Sequence, residues 1–358
     1  MALSPSLPYA SLHWFTHRKP QHGAEVPSMA ARSPAATGFE NECREIHGAC
    51  DEPRRLSRLL ARRSTSERQQ IKATYRAMFG EDLAGRLHKT LTANQNNESQ
   101  HGLPLQLCNL LYLWMLDLAE RDAIMARDAI ESGAAADYRA LVEVFTRRKQ
   151  DQLFFTKQAY LARFKKNLEQ DMVTDPSHPY QRLLIALATS HKSHHDEPSQ
   201  HIAKCDARRL YDAKNGGGTG SVDEAAVLEM FSKRSIPQLR LALCSYKHIY
   251  GHDFTKALKK NLARDFEESL RVVVKCIYTP SKYYCKLLQR SMQRPEADKR
   301  LVTRAILGSG DVGINEIKLA FKSNFGKNLA DFIHESLPQS DYREFLWLWQ
   351  GGQCPVAS

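Results

Sequence analysis

Four segments of this 358-residue chain repeat the same pattern of aromatic and apolar residues. They read ATYRAMFGEDL (73–83), QAYLARFKKNL (158–168), CSYKHIYGHDF (244–254) and LAFKSNFGKNL (319–329), and they align without gaps. Each places large apolar residues at i, i+4 and i+8, as at Tyr75, Phe79 and Leu83, and this spacing puts them on one face of a helix. A helical unit that recurs along a chain predicts a repeat protein.

A second element precedes three of the four segments. LLARRSTSERQQI (59–71), VFTRRKQDQLFF (144–155) and MFSKRSIPQLRL (230–241) place Arg63, Arg148 and Arg234 at one position. The fourth copy, AILGSGDVGINEI (305–317), has Ser309 there. Strand-like alternation is scarce after residue 39, so the fold class is predicted to be all-α.

These repeated elements resemble the annexin family, and plant annexins in particular. LYLWMLDLAERDA (111–123), QAYLARFKKNLEQDM (158–172) and VVVKCIYTPSKYY (272–284) carry the resemblance, which covers residues 39 to 350. It implies a curved disc of four repeats of about five helices each, at 39–119, 120–200, 201–279 and 280–350. Residues 1–38 are predicted to be a disordered extension, with a transit peptide as the alternative, and 351–358 a C-terminal tail.

The resemblance also implies calcium loops on the convex face, where they would bridge the protein to acidic phospholipid. Each site would have two halves. A loop resembling G-x-G-T-D/E turns its carbonyls towards the ion, and an acidic side chain about forty residues later helps to complete six to eight oxygen ligands. Glycine suits such a loop because it adopts conformations that are costly for residues with a Cβ atom.

Repeat two is the one in which both halves remain. Gly133 and Asp137 bound the loop GAAAD, although Ala135 replaces the second glycine. Asp175 stands at the position of the distant acidic side chain, called the cap position. The alternative is that Gly133 and Asp175 are ordinary loop and helix-end residues. In repeat one, Gly48 keeps the first glycine of IHGACDE (46–52), but Cys50 replaces the second and the cap falls near Thr90, so this site is expected to be lost or weak.

Repeat three contains the glycine-rich stretch NGGGTGSVDEAAVLEM (215–230). No lysine follows its glycines and no strand precedes them, which disfavours a phosphate-binding loop. The cap falls at Asn261, so no carboxylate completes a calcium site unless Asp265 reaches in. A flexible loop is therefore favoured, with Ser221 or Asp223 capping the next helix.

In repeat four, Pro295 and Glu296 interrupt the loop QRPEADKRLVTR (293–304). Asp298 keeps the acidic loop position, and Asp341 or Glu335 lies near the cap. Because the loop lacks these glycines, this calcium site is expected to be weakened.

Charge offers a second route to membranes. The net charge of +11 favours anionic partners, and the basic runs RRLSRLLARR (54–63) and KALKKNLAR (256–264) would attract acidic lipid without calcium. For each run, an ordinary solvated helix face is the simpler interpretation.

The chain contains no run of eighteen apolar residues, so no transmembrane segment is expected. Eight scattered cysteines without a CxxC pair indicate a reduced, cytoplasmic protein, with Cys244 and Cys276 expected to be buried. The histidine-rich stretch HKSHHDEPSQH (191–201) could bind zinc or copper, but a solvated linker is favoured. The insertion TANQNNESQHGLP (92–104) is predicted to be a surface loop.

We therefore predict a calcium-dependent, phospholipid-binding peripheral membrane protein of the annexin type, with weakened calcium sites and no enzymatic activity. It would be a monomer or a weak oligomer. The alternative is a calcium-independent interaction protein that binds acidic lipid, actin or RNA through its basic surface, although no specific nucleic-acid motif is present.

Overall fold

A computed structural model describes residues 36–50, 52–96, 105–132, 137–173, 175, 177–188, 197–215, 221–258, 265–293 and 297–352. Within these ranges the chain forms twenty α-helices and no β-strand, which confirms the predicted all-α class.

The helices form four sets of five, one set for each repeat. Repeat one contains α1 (Ala36–Gly48), α2 (Pro53–Leu60), α3 (Thr65–Phe79), α4 (Leu83–Asn96) and α5 (Leu105–Met115). Repeat two contains α6 (Leu118–Glu131), α7 (Tyr138–Arg147), α8 (Gln150–Phe164), α9 (Leu168–Asp171) and α10 (Pro179–Ala188). Repeat three contains α11 (Gln200–Asn215), α12 (Glu224–Lys233), α13 (Ile236–Tyr250), α14 (Phe254–Leu258) and α15 (Asp265–Tyr278). Repeat four contains α16 (Pro280–Met292), α17 (Lys299–Gly308), α18 (Ile314–Phe325), α19 (Leu329–Ser336) and α20 (Asp341–Trp349).

The repeated aromatic segments form the end of the third helix in each set. Their first aromatic residues, Tyr75, Tyr160, Tyr246 and Phe321, are fully buried. This burial explains why the i, i+4, i+8 pattern recurs, since each third helix must present one apolar face to the core.

Two hydrophobic cores hold the repeats together in pairs. Buried residues of repeats one and four form the first core, in which the Trp114 ring meets Phe345 edge-on at a centroid distance of 5.7 Å. Buried residues of repeats two and three form the second core, which includes Phe145 and Phe231. Repeats distant in sequence therefore share one core, while neighbouring repeats one and two contribute to different cores.

The repeated arginines each pair with an acidic residue on the first helix of their own repeat. Arg63 pairs with Glu42, Arg148 with Asp122 and Arg234 with Asp206. In repeat four, the Ser309 hydroxyl donates instead to the carbonyl of Ile306 at 2.9 Å. The arginines thus fix the turn that follows the second helix of repeats one to three.

Two predictions about local structure were wrong in part. Helix α4 continues through Asn96, so residues 92–96 are helical rather than part of a surface loop, and residues 97–104 lie outside the described part of the chain. Cys276 is buried as predicted, but Cys244 is exposed. Cys244 directly follows the buried Leu243, and a step of one residue along a helix turns it away from the core.

No helix among the described residues is both long and apolar enough to cross a bilayer.

Candidate calcium-binding loops

The loops between the first and second helices of repeats two, three and four are each closed by an equivalent backbone hydrogen bond. Asp137, Asp223 and Asp298 precede α7, α12 and α17, and the amide of each donates to a carbonyl near the end of the preceding helix. The acceptors are Ala129 at 3.2 Å, Ala213 at 2.7 Å and Ser291 at 2.8 Å. The acidic position of each loop therefore marks the N-cap of the second helix.

In repeat two, the Asp137 side chain makes no hydrogen bond to its own helix. Its Oδ2 instead forms an ion pair with Arg304 on α17 of repeat four. The remaining loop residues, Gly133 to Ala136, lie outside the described part of the chain.

Asp175 is exposed in the turn before α10. Its Oδ1 accepts hydrogen bonds from the Ser177 hydroxyl at 2.5 Å and from the Ser177 amide at 3.0 Å. These donors favour the ionised form and hold the pKa of Asp175 below its usual value. The carboxylate is therefore negatively charged, as a carboxyl group must be to bind calcium.

A single buried glutamine links the Asp175 turn to the helix that Asp137 precedes. The Asp175 amide donates to Gln181 Oε1 at 2.8 Å, and Gln181 Nε2 donates to the Tyr138 hydroxyl at 3.0 Å. The structure thus brings the cap turn and the end of the loop together around Gln181. Gln181 was not predicted as a site residue; its signal in the sequence is a polar side chain on the apolar face of α10.

The loop of repeat one has a different structure. Gly48 is the last residue of α1, and the Ala49 carbonyl accepts a hydrogen bond from the Glu52 amide at 2.8 Å. Cys50, at the second glycine position, is buried, and its thiol donates to the Ile46 carbonyl at 3.3 Å. The side chain of Thr90, near the cap, lies outside the described part.

In repeat three, the predicted helix cap is confirmed. Asp223 Oδ1 accepts a hydrogen bond from the Ala226 amide at 3.1 Å. The neighbouring Val222 amide donates to Glu267 Oε1 at 3.1 Å, and the buried Glu267 lies 3.9 Å from Lys214 Nζ. Glu267 is the third residue of α15, as Gln181 is of α10, so both repeats use this position to hold the loop.

Residues 216–220 and Asn261 lie outside the described part of the chain. Asp265 is the exposed first residue of α15.

In repeat four, the acidic side chains already have other partners. Asp298 Oδ1 accepts a hydrogen bond from the Leu301 amide at 3.0 Å. Asp341 pairs with Arg54 at 2.7 Å, and Glu335 pairs with Lys327 at 2.6 Å. Pro295 and Glu296 lie outside the described part.

The described residues contain no group of three or more His, Cys, Asp or Glu side chains placed to hold a metal ion. Of the histidine-rich stretch, residues 191–196 lie outside the described part, and His201 Nε2 lies 4.0 Å from Cys205 Sγ.

The arginines of the basic run at 54–63 are partly exposed and also make contacts within the fold. Arg54 pairs with Asp341 and Arg58 pairs with Glu344, both on α20. Arg62 donates to the Gly352 carbonyl. In the second run, residues 259–264 lie outside the described part.

Comparison with known proteins identifies relatives that extend over most of the chain. The annexin family model matches residues 205–273. Annexin A13 of Homo sapiens is 26% identical over 320 residues, which cover 88% of this chain and 96% of that protein. The annexin-like protein RJ4 of Fragaria ananassa is 25% identical over 288 residues, which cover 80% of this chain and 86% of that protein.

A solved structure shows the same fold. Annexin III aligns with a TM-score of 0.73 at 24% identity, and the alignment covers 92% of this chain and 97% of that one.

Proposed function

Because this chain belongs to the annexin family, we propose that it is a cytoplasmic peripheral membrane protein that binds acidic phospholipid with calcium. Calcium-dependent phospholipid binding is what membership of this family implies in general. The loops between the first and second helices of the repeats would contact the lipid. A calcium ion held there would join protein oxygens to the anionic headgroups. The proposal involves no chemical reaction.

Repeat two is the proposed calcium site, with the loop from Gly133 to Asp137 and the carboxylate of Asp175 as its two halves. The observation that carries this assignment is the Gln181 bridge, which brings the Asp175 turn to the start of α7. Asp175 is exposed and ionised, so its carboxylate can supply oxygen ligands to a hard cation.

We further propose that calcium binding in repeat two is weak. Asp175 Oδ1 already accepts two hydrogen bonds from Ser177, and a calcium ion would compete with them. Asp137 is paired with Arg304, whose positive charge opposes a nearby cation. Calcium affinity depends on the number of charged ligands, and this site has one uncommitted carboxylate at most.

The other repeats offer less support for calcium sites. Gly48 lies beside a loop in which Cys50 is buried, and the carboxylates of Asp298 and Asp341 are bound within the protein. Calcium-independent binding of acidic lipid, actin or RNA is the alternative. The pairing of Arg54 and Arg58 with α20 places two carboxylates beside the first basic run, which weakens its attraction for an anionic surface.

Co-sedimentation with phosphatidylserine vesicles tests the assignment to repeat two. Asp175→Asn keeps an oxygen that can accept from Ser177 but removes the charge. We expect the variant to need at least about tenfold more calcium for half-maximal binding, since a charged ligand is lost. The control is Glu316→Gln, which removes one negative charge from an exposed position on α18. Equal calcium requirements for Asp175→Asn and wild type would contradict the assignment.

A further inference from the structure

A cavity of about 800 Å³ lies among repeats one, two and four, and five arginines line it: Arg62, Arg63, Arg68, Arg121 and Arg148. We call it the arginine cavity. Asp311 is the one acidic residue among its lining residues. The exposed turn at Ser64 and Thr65 forms part of its wall, so solvent reaches it there.

Three of the five arginines have partners that account for their position. Arg63 pairs with Glu42 at 2.8 Å, and Arg148 holds both oxygens of the fully buried Asp122. Arg62 donates to the Gly352 carbonyl. The carboxylate of Asp311 is shared between Arg147 and Arg148.

Among the described residues, Arg121 has one acidic partner, Asp122, which it shares with Arg148. Only 7% of the residue is exposed, and its Nε atom is buried without a hydrogen-bond partner. The carboxylate of its neighbour Asp122 lies 4.0 Å away and is already held by Arg148. Burial lowers the pKa of the Arg121 guanidinium, which shows the cost of keeping this charge away from water.

Arg68 is equally unusual. It is 4% exposed and stands seven residues before Tyr75, a position that Leu153, Leu239 and Ile314 occupy relative to the aromatic residue of their own repeats. A position that is apolar in the other three repeats is thus an arginine in repeat one.

Within the described part of the chain, Arg68 donates hydrogen bonds to no carboxylate. Its guanidinium donates to the Arg63 carbonyl at 2.6 Å and the Thr65 hydroxyl at 3.1 Å, which are both neutral acceptors. The guanidinium also lies 3.9 Å from the centre of the Trp114 ring. Burial lowers its pKa to about 10, so it remains charged at neutral pH.

We propose that the arginine cavity binds a soluble phosphate-bearing anion, held by Arg68 and Arg121. Burying positive charge without enough negative charge beside it is unfavourable, and a bound anion would reduce that penalty for both arginines at once. A phosphate group carries close to two negative charges at neutral pH, and it accepts paired hydrogen bonds from guanidinium groups. The cavity has room for an organic group beyond the phosphate.

The position of the cavity favours a soluble ligand over a lipid headgroup. Helices α2, α7 and α17 begin at the proposed lipid-facing loops, and residues at or just after their last turns line the cavity. A ten-residue helix such as α7 is about 15 Å long, so the cavity lies about that far from the loops. The carboxyl ends of these helices carry only a partial negative charge, which does not neutralise the arginines.

Isothermal titration with inorganic phosphate, against chloride at constant ionic strength, tests the proposal on the whole protein. Arg68→Leu restores the residue type of the other repeats and is expected to fold, while Arg121→Gln removes the second charge. We expect each variant to weaken phosphate binding by at least about tenfold, because a charge-assisted hydrogen bond is lost. The matched control is Arg76→Gln, on the exposed face of α3, which should bind phosphate as wild type does.

Two results would overturn the proposal. The first is phosphate binding that is absent, or equal in wild type, Arg68→Leu and Arg121→Gln. The second is displacement of the protein from phosphatidylserine vesicles by phosphate, with that effect lost in Arg121→Gln, since the cavity would then be a headgroup site. Vesicle binding that phosphate leaves unchanged supports a soluble ligand.

Discussion

Lys165 occupies a backbone conformation that the other repeats give to glycine. At the end of the third helix, Gly80, Gly251 and Gly326 have φ angles of 70°, 72° and 71°, and Lys165 has φ 57°. The left-handed conformation brings Cβ of an L-residue close to backbone oxygen, so glycine adopts it at lower cost. Lys165 is exposed, and its amide closes the helix by donating to the Leu161 carbonyl at 3.0 Å.

We predict that Lys165→Gly stabilises the protein by about 1 kcal/mol, because it relieves this conformational cost and keeps the backbone hydrogen bond. Urea denaturation of wild type and variant measures the change. At the equivalent position of repeat three, Gly251→Ala replaces glycine in the same conformation and should destabilise the protein by a similar amount. A Lys165→Gly variant less stable than wild type would show that the side chain contributes contacts that outweigh the strain.

At the scale of single residues, the sequence predicted what recurs and missed what occurs once. The buried aromatic residues follow from a pattern that appears four times. Arg68 stands at a position that is apolar in the other three repeats, and the role of Gln181 becomes visible only when the chain brings α7 and α10 together. A partner across the fold leaves no periodic signal in the sequence.

Among the helices, the repeated arginine contacts differ in burial and should differ in strength. Arg148 and Asp122 have side chains that are 5% and 0% exposed, whereas the Arg234 side chain is 29% exposed beside Asp206. Removing one member of a buried ion pair leaves an uncompensated charge in the protein interior. Water can reach the more exposed pair and reduces that penalty.

We therefore predict that Arg148→Ala lowers the free energy of unfolding by about 3 kcal/mol, and that Arg234→Ala lowers it by less. Both values come from urea denaturation, and the difference between the variants is the quantity to compare. The opposite order, with Arg234→Ala the more damaging, would mean that burial of the pair does not set its importance.

The helices themselves were predictable, but their ends were less so. The arginine positions recognised in the sequence lie at the ends of α7 and α12, as their shared register indicates. Helix α4 extends through Asn96, into a segment whose polar residues had predicted a loop. Polar composition indicates exposure, and an exposed segment can still be helical.

At the scale of the whole molecule, Glu143 lies where the two hydrophobic cores meet. It belongs to α7, which packs in the second core, and its Oε1 accepts a hydrogen bond from Tyr283 on α16 at 2.7 Å. Arg304 Nε lies 3.4 Å from the same oxygen. Burial raises the pKa of Glu143 to about 8, so the carboxyl favours its protonated form in the folded protein.

This raised pKa predicts a pH-dependent stability. A carboxyl whose pKa is higher in the folded state than in the unfolded state stabilises the fold most at low pH. This contribution is fully present when the pH is below the pKa of the unfolded chain, near 4.5, and it is lost as the pH rises towards 8. Glu143→Gln is neutral at every pH. The melting temperature of this variant should therefore fall less than that of wild type between about pH 6 and about pH 9.

The same fall in melting temperature for Glu143→Gln and wild type across that pH range would contradict this prediction. It would indicate that Arg304 keeps Glu143 ionised in the folded protein.

The organisation of the whole chain could be predicted as four helical repeats, but the pairing of those repeats could not. The gapless alignment gives the unit and its copies, whereas the two cores join repeat one to four and repeat two to three. Equivalent apolar faces look alike in the sequence, so they do not reveal which copies share a core. The arginine cavity, where three repeats meet, was therefore missed.

Vesicle binding by the wild-type protein tests the central claim most directly. Phosphatidylserine vesicles are sedimented with calcium or with a chelator, each at low and at high sodium chloride. We predict binding that requires calcium and persists in high salt, because a calcium bridge coordinates lipid directly whereas interactions between exposed charges are screened. Binding that survives the chelator and disappears in high salt would contradict the account and assign membrane attachment to the basic surface.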